Sequence, residues 1–168
     1  MPAPNPKSQI PHPKQPHDVS TRIRTCLLAV LAVGVIGMGT ELLLLGHAET
    51  FQQQIPLVLL ALGAVTSGWH AVAPRPATVR ALQVAMTLFV ISGVAGVWLH
   101  FQGNVEFELE MYPAMQGIEL VQKTLTGATP VLAPGSMALL GLIGLTHSYR
   151  HPCLHNDAAS SGSLKGDA

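Results

Sequence analysis

The strongest constraint in this chain is an apolar run over residues 25–47, TCLLAVLAVGVIGMGTELLLLGH, with one charged side chain, Glu41, and with Arg22 and Arg24 just before it. At a rise of about 1.5 Å per residue, such a run crosses the ~30 Å hydrocarbon core of a bilayer. A segment in lipid must pair every backbone N–H and C=O internally, and a single segment does so only as a helix. Three further stretches, 55–73, 80–100 and 131–148, have the same character. Charged residues are 11% of the 168, against about 25% in soluble domains, too few to cover a water-facing surface of this size. The fold expected is all-α, an integral membrane four-helix bundle over residues 21–152.

Local signals set the boundaries. Residues 1–20 are polar and proline-rich, and 153–168 are rich in Ser, Gly and Ala, so both read as disordered tails unable to offset their ordering entropy. The first of these, with no small-residue cleavage site after the apolar run, does not resemble a cleavable signal peptide. Pro56 falls in the first turn of the second stretch, where a missing N–H is harmless. Trp69 and Trp98 sit near the ends of the second and third stretches, at interfacial depth. The positive charges then orient the bundle. Lys7, Lys14, Arg22, Arg24, Arg75, Arg80, Arg150 and Lys165 fall in the tails and the second connection, and only Lys123 falls in the first or third. The positive-inside rule converts that alternation into both termini cytoplasmic.

The third connection, 101–130, is the one sizeable piece outside the membrane. Val105, Phe107, Leu109 and Met111 alternate with Glu106, Glu108 and Glu110 as in a strand. A lone strand has no partner, and Asn104 as an N-cap makes a short new helix the preferred reading. After Pro113, apolar residues recur at helical spacing through Met115, Ile118, Val121 and Leu125, which predicts a second helix lying on the outer surface or capping the bundle.

Small residues predict how the helices meet. Gly34, Gly37 and Glu41 share one helical face, as do Gly63, Ser67 and His70, then Gly93, Gly96 and His100, then Gly144 and His147. Such stripes let backbones approach where lipid gives no hydrophobic drive. Each leads to a titratable side chain. The run GVIG with Glu41 four residues on also echoes GVAG with His100.

Glu41 has two readings, since a charge at depth costs about 2.5–3.5 kcal/mol and so faces protein or water. It is a proton- or cation-handling group acting with His47 and His100, or a hydrogen-bonded residue that fixes packing. His70 and His147, near the opposite surface, are the candidates for binding a cofactor such as haem. After the fourth stretch, HSYRHPCLH offers His147, His151, Cys153 and His155, whose imidazoles and thiolate suit Zn, Cu or Ni. That spacing matches no standard zinc finger, and a basic juxtamembrane end is the competing reading. The two cysteines, Cys26 and Cys153, fall on the same reducing side, where no disulfide is expected.

Phosphate loops, nucleotide fingerprints, nucleophile elbows and zinc-protease motifs are missing from the sequence, so neither an enzyme, a resident cofactor nor a nucleic-acid partner is expected. The blocks LTGATPVLAPG (125–135), YRHP (149–152) and GNVEFELE (103–110) resemble an uncharacterised family of small four-helix bacterial inner-membrane proteins. That resemblance implies a bacterial inner-membrane location and no activity. The expectation is a non-enzymatic accessory or interaction subunit, partnered by the bilayer and by another membrane protein or its own copies. The alternative is a small transport or redox protein handling protons, metal or haem through Glu41 and the histidines.

Overall fold

The structure, a computed structural model, describes residues 16–127 and 129–154. The described elements are α1 (Pro16–Leu44), α2 (Phe51–Val72), α3 (Pro76–Met111), α4 (Gly117–Leu125) and α5 (Gly135–Ser148). Three of them, α1, α2 and α3, are long and apolar enough to cross a membrane, as in a multi-pass membrane protein. Helices α1, α2, α3 and α5 form a ring in which each packs on two neighbours, and α4 lies on α3. The diagonal pairs, α1 with α3 and α2 with α5, do not pack on each other. Neighbours run antiparallel: Gly93 faces Ala138 and Gly96 faces Pro134, while Gly141 and Gly144 face Met86. The start of α1, the end of α2, the start of α3 and the end of α5 therefore share one end of the bundle.

Each helix end has a local cause. Helix α1 stops because Gly46 takes φ +65°, with the Gly46 N–H donating to Leu43 O (3.1 Å) and the His47 N–H to Leu42 O (2.9 Å). This pairing satisfies the last carbonyls, and glycine carries no Cβ to oppose it. Helix α2 begins at Phe51, four residues before the stretch 55–73 read from the sequence. The Thr50 hydroxyl accepts from the Gln53 N–H (3.3 Å), and the Gln53 side chain accepts from the Thr50 N–H (3.0 Å). This reciprocal cap satisfies two orphan donors. Helix α3 opens with Pro76 at its first turn. Helix α1 begins at Pro16, within the segment expected as a tail; residues 1–15 and 155–168 lie outside the described residues.

The core is the inside of this ring: Leu31 and Val35 of α1, Leu60 of α2, Leu82, Ala85, Met86 and Phe89 of α3, and Met137 and Leu140 of α5. The outside is as apolar as the inside, with Val33 72% and Ile36 65% exposed on α1. A continuous apolar exterior suits hydrocarbon as its solvent. Glycines of the other three stripes set the interhelical distance, whereas on α1 only Gly34 does and Gly37 and Glu41 are exposed. A Cβ at Gly63 would meet the Phe89 ring at 2.5 Å and one at Gly34 would meet Leu140 at 2.3 Å, whereas Gly37 has nothing within 4 Å. Gly34 and Gly93, the two echoed positions, both lie against α5.

Two expectations need correction. The third stretch does not end at residue 100, because α3 continues unbroken to Met111 over 36 residues, about 54 Å. Its last turns therefore carry Glu106, Glu108 and Glu110 beyond a ~30 Å hydrocarbon core. Asn104 is no N-cap: it lies inside α3, 2% exposed, and clamps the connection that follows. Its Nδ2 donates to Thr124 O (2.9 Å) and Thr129 O (2.8 Å), and its Oδ1 accepts from the Thr129 N–H (3.2 Å) and hydroxyl (2.6 Å). Helix α4, expected from its spacing, follows the end of α3 and packs on it. Helix α5 has 14 residues, about 21 Å, shorter than the stretch read for it.

Candidate metal centre

At the end of the bundle shared by the start of α1 and the end of α5, three imidazoles from two diagonal helices come together. His70 closes α2, His147 closes α5, and His151 follows the turn after α5. One ring nitrogen from each lies within 4.8 Å of the others. The ring centroids are 5.2 Å apart for His70 and His147, 5.0 Å for His70 and His151, and 5.8 Å for His147 and His151. His70 and His147 are each 3% exposed. No carboxylate joins the group among the described residues.

The backbone around the cluster fixes each ring. The glycine stripe Gly63, Ser67, His70 lies buried along one face of α2 and delivers His70 to the bundle interior. Its Nδ1 lies 3.2 Å from the Thr78 hydroxyl. That oxygen also accepts from the Arg75 N–H (3.0 Å) and has the carbonyls of Arg75 (2.9 Å) and Ala73 (3.0 Å) for its single proton. The carbonyls are the nearer acceptors, which favours the tautomer in which His70 donates Nδ1–H and keeps Nε2 as a lone pair. His147 Nδ1 lies 2.9 Å from the Arg24 carbonyl. A carbonyl only accepts, so Nδ1 carries the proton and Nε2 is again a lone pair. That Nε2 is buried and has no hydrogen-bond partner. An unpaired buried acceptor costs about 1–3 kcal/mol, and a ligand that uses it removes the penalty.

His151 reaches the cluster through a strained turn. Arg150 adopts φ 46°, the left-handed region that a side chain disfavours. Arg24 holds that turn: its guanidinium donates to the carbonyls of His147, Tyr149 (3.0 Å) and Arg150 (3.4 Å) at the end of α5. The Cys153 N–H then donates to His151 Nδ1 (3.3 Å). Burial, and then the positive charges of protonated His70, of Arg24 and of protonated His147, push the His151 pKa down to about 4. At neutral pH this ring is uncharged, the form a metal requires.

The candidate residues read from sequence separate accordingly. His70 and His147, read as a cofactor pair, and His147 with His151, read as metal ligands, turn out to be one cluster. With their ring centroids 5.2 Å apart, His70 and His147 stand too close to take a macrocycle between them, so the arrangement fits an ion better than haem. Cys153 stands beside His151, with its Sγ 3.5 Å from Pro74 O. His155 lies outside the described residues. Glu41 is exposed on α1, and α1 does not pack on α3, so the structure does not bring Glu41 to His100. His47 follows the α1 cap, and His100 Nδ1 is buried without a hydrogen-bond partner. Sequence reasoning missed Arg24 and Thr78 as the groups that orient the rings; Thr78, three residues after Arg75 and eight after His70, carried no signal of its own.

No family model, no curated protein and no solved structure matches this chain.

Proposed function

We propose that this chain is a non-enzymatic integral membrane protein that retains a transition-metal ion through His70, His147 and His151. The observation that carries this reading is the buried, unpaired Nε2 of His147, inside a triangle of ring nitrogens within 4.8 Å of one another. Imidazole nitrogens suit zinc, copper, nickel and iron, and the lack of a carboxylate in the group disfavours magnesium and calcium. Two of the rings donate Nδ1–H to an oxygen, the outer-shell arrangement that orients metal-bound histidines. Facing helices of a bundle are a recurrent place to build such a centre.

The alternation of Lys and Arg supports a cytoplasmic position for this end of the bundle and for both termini, by the positive-inside rule. The location we propose is a bacterial inner membrane, with four spans, α5 completing its own through the turns that precede it. Buried ligands suit holding an ion more than turning over a substrate.

The test is metal stoichiometry and affinity in detergent. Wild-type protein, stripped with chelator and re-exposed to Zn(II), should bind one ion per chain. His70→Ala and His147→Ala should each lose binding while keeping the wild-type helical signal. Equal zinc binding by wild type and both variants would refute the reading.

A further inference from the structure

The triad supplies three donors, and a tetrahedral ion asks for four. Resting on the metal reading above, we propose that Cys153 is the fourth ligand, giving a closed His3Cys centre for an ion of the zinc(II) class.

Position comes first. Cys153 lies on the short turn after His151, and its backbone N–H is bonded to that ring. Its Sγ rests 3.5 Å from Pro74 O, in the α2–α3 connection that also carries Arg75 and leads to Thr78, the partner of His70. The sulfur itself lies outside the triangle of ring nitrogens and would have to leave Pro74 O to reach it; the residue is partly exposed and in no disulfide.

The second step concerns the proton on His151. Because Nδ1 accepts from the Cys153 N–H, the neutral ring carries its proton on Nε2. An ion that takes Nε2 moves that proton to Nδ1, where it faces the Cys153 N–H. An ion that takes Nδ1 removes the acceptor instead. Either way the Cys153 N–H loses its partner and the 152–154 turn must re-seat. The bond given up is long at 3.3 Å, and the residue released carries the thiol.

Charge gives the third step. Three neutral imidazoles leave a divalent ion with its full charge beside the Arg24 guanidinium, which donates to the His147, Tyr149 and Arg150 carbonyls. The Cys153 thiolate would be the one anion in the shell; its S–H proton leaves to solvent as the S–metal bond forms. Ions bound at about 2.0–2.1 Å hold imidazole nitrogens about 3.4 Å apart. The ring nitrogens therefore close by up to about 1.4 Å from a spread of up to 4.8 Å. A shell closed by four protein ligands is that of a structural site, with no position open for substrate.

Cobalt(II) in place of zinc reads the sulfur directly. In a Cys26→Ser background, the cobalt-loaded protein should show a near-ultraviolet thiolate-to-cobalt charge-transfer band and intense tetrahedral visible bands. Cys153→Ser should abolish the charge-transfer band and weaken zinc binding by at least about tenfold, with the helical signal unchanged. Cobalt bound with no thiolate band, and unaffected by Cys153→Ser, would overturn the fourth ligand while leaving the triad standing. No cobalt or zinc bound by either protein would overturn both.

Discussion

A Cβ at Gly141 would meet Met86 O at 2.6 Å, Val90 Cγ2 at 2.8 Å and Val90 N at 2.9 Å. Two of those three atoms are backbone, so no rotamer change relieves the clash and α5 must move off α3. An ordinary contact begins at 3.4 Å, so the shift is about 0.8 Å. Overpacking of this kind costs about 1–3 kcal/mol, partly offset by the ~0.5–1 kcal/mol that alanine gains over glycine inside a helix. Gly141→Ala should thus destabilise the bundle by roughly 1–2 kcal/mol. Gly37→Ala, with nothing within 4 Å, meets no clash and should be neutral or stabilising by up to ~1 kcal/mol. Gly144→Ala should fall between them, because the atoms met at 2.4 Å belong to the flexible Met86 side chain. Thermal unfolding in one detergent, followed by circular dichroism, ranks the three. The displacement has a second readout, since α5 ends in His147: Gly141→Ala should also weaken zinc binding, and Gly37→Ala should not. If Gly141→Ala and Gly37→Ala melt within about 0.5 kcal/mol of each other, glycine does not set the α3–α5 distance and the argument fails.

Other perturbations separate the two ends of the bundle. Arg24→Ala removes the donors to the His147, Tyr149 and Arg150 carbonyls and should weaken zinc binding about 10–100-fold, with Arg24→Lys retaining part of it; unchanged affinity in Arg24→Ala would mean the turn holds itself. Asn104→Ala strips partners from Thr124 O and from the Thr129 backbone, for roughly 2–4 kcal/mol of local stability, seen as faster amide exchange over 112–130 with zinc affinity unchanged; protection equal to wild type would discard the clamp. His151 titrates at about 4 when folded, against an ordinary 6.5. Between those values the unfolded chain binds more protons, so stability should fall as pH drops from 6.5 towards 4 and be insensitive to this group above 6.5. His151→Asn should flatten that slope in metal-free protein; parallel slopes for the two would show that another group governs it.

The apolar runs made α1, α2 and most of α3 legible, because about 20 residues without charge have few alternatives to a spanning helix. The α2 stripe was legible for the same kind of reason: Gly63, Ser67 and His70 share a face by helical geometry alone, and the structure buries all three, whereas on α1 Gly37 and Glu41 of the corresponding stripe stay exposed. The extension of α3 was not legible. A helix over 105–111 was the preferred reading, but as a new one capped at Asn104; its continuity with α3 goes with four hydrogen bonds from Asn104 to Thr124 and Thr129, 20–25 residues further on. Local pattern cannot contain a contact that long. The start of α2 comes four residues ahead of the apolar stretch at 55 for a smaller reason, the reciprocal cap of Thr50 and Gln53 lying among polar residues that carry no apolar period.

The histidine cluster shows how a site can be half visible. His147, His151 and Cys153 stood out as neighbours in sequence, and His70 and His147 as residues at one depth, yet nothing local joined the two sets. The ring of helices joins them. Helices α2 and α5 are diagonal and do not pack on each other, so only side chains at their ends can bridge the gap, across the space that α1 and α3 frame. Glycines hold those frames close: Gly34 on the α1–α5 side, Gly63 on the α2–α3 side, Gly93, Gly141 and Gly144 on the α3–α5 side. Adding a methyl group to any of these interfaces pushes apart helices whose ends carry the imidazoles. A centre that depends on a sub-ångström fit along three helix pairs is one that an ion, in return, can stabilise, because it binds only the assembled bundle.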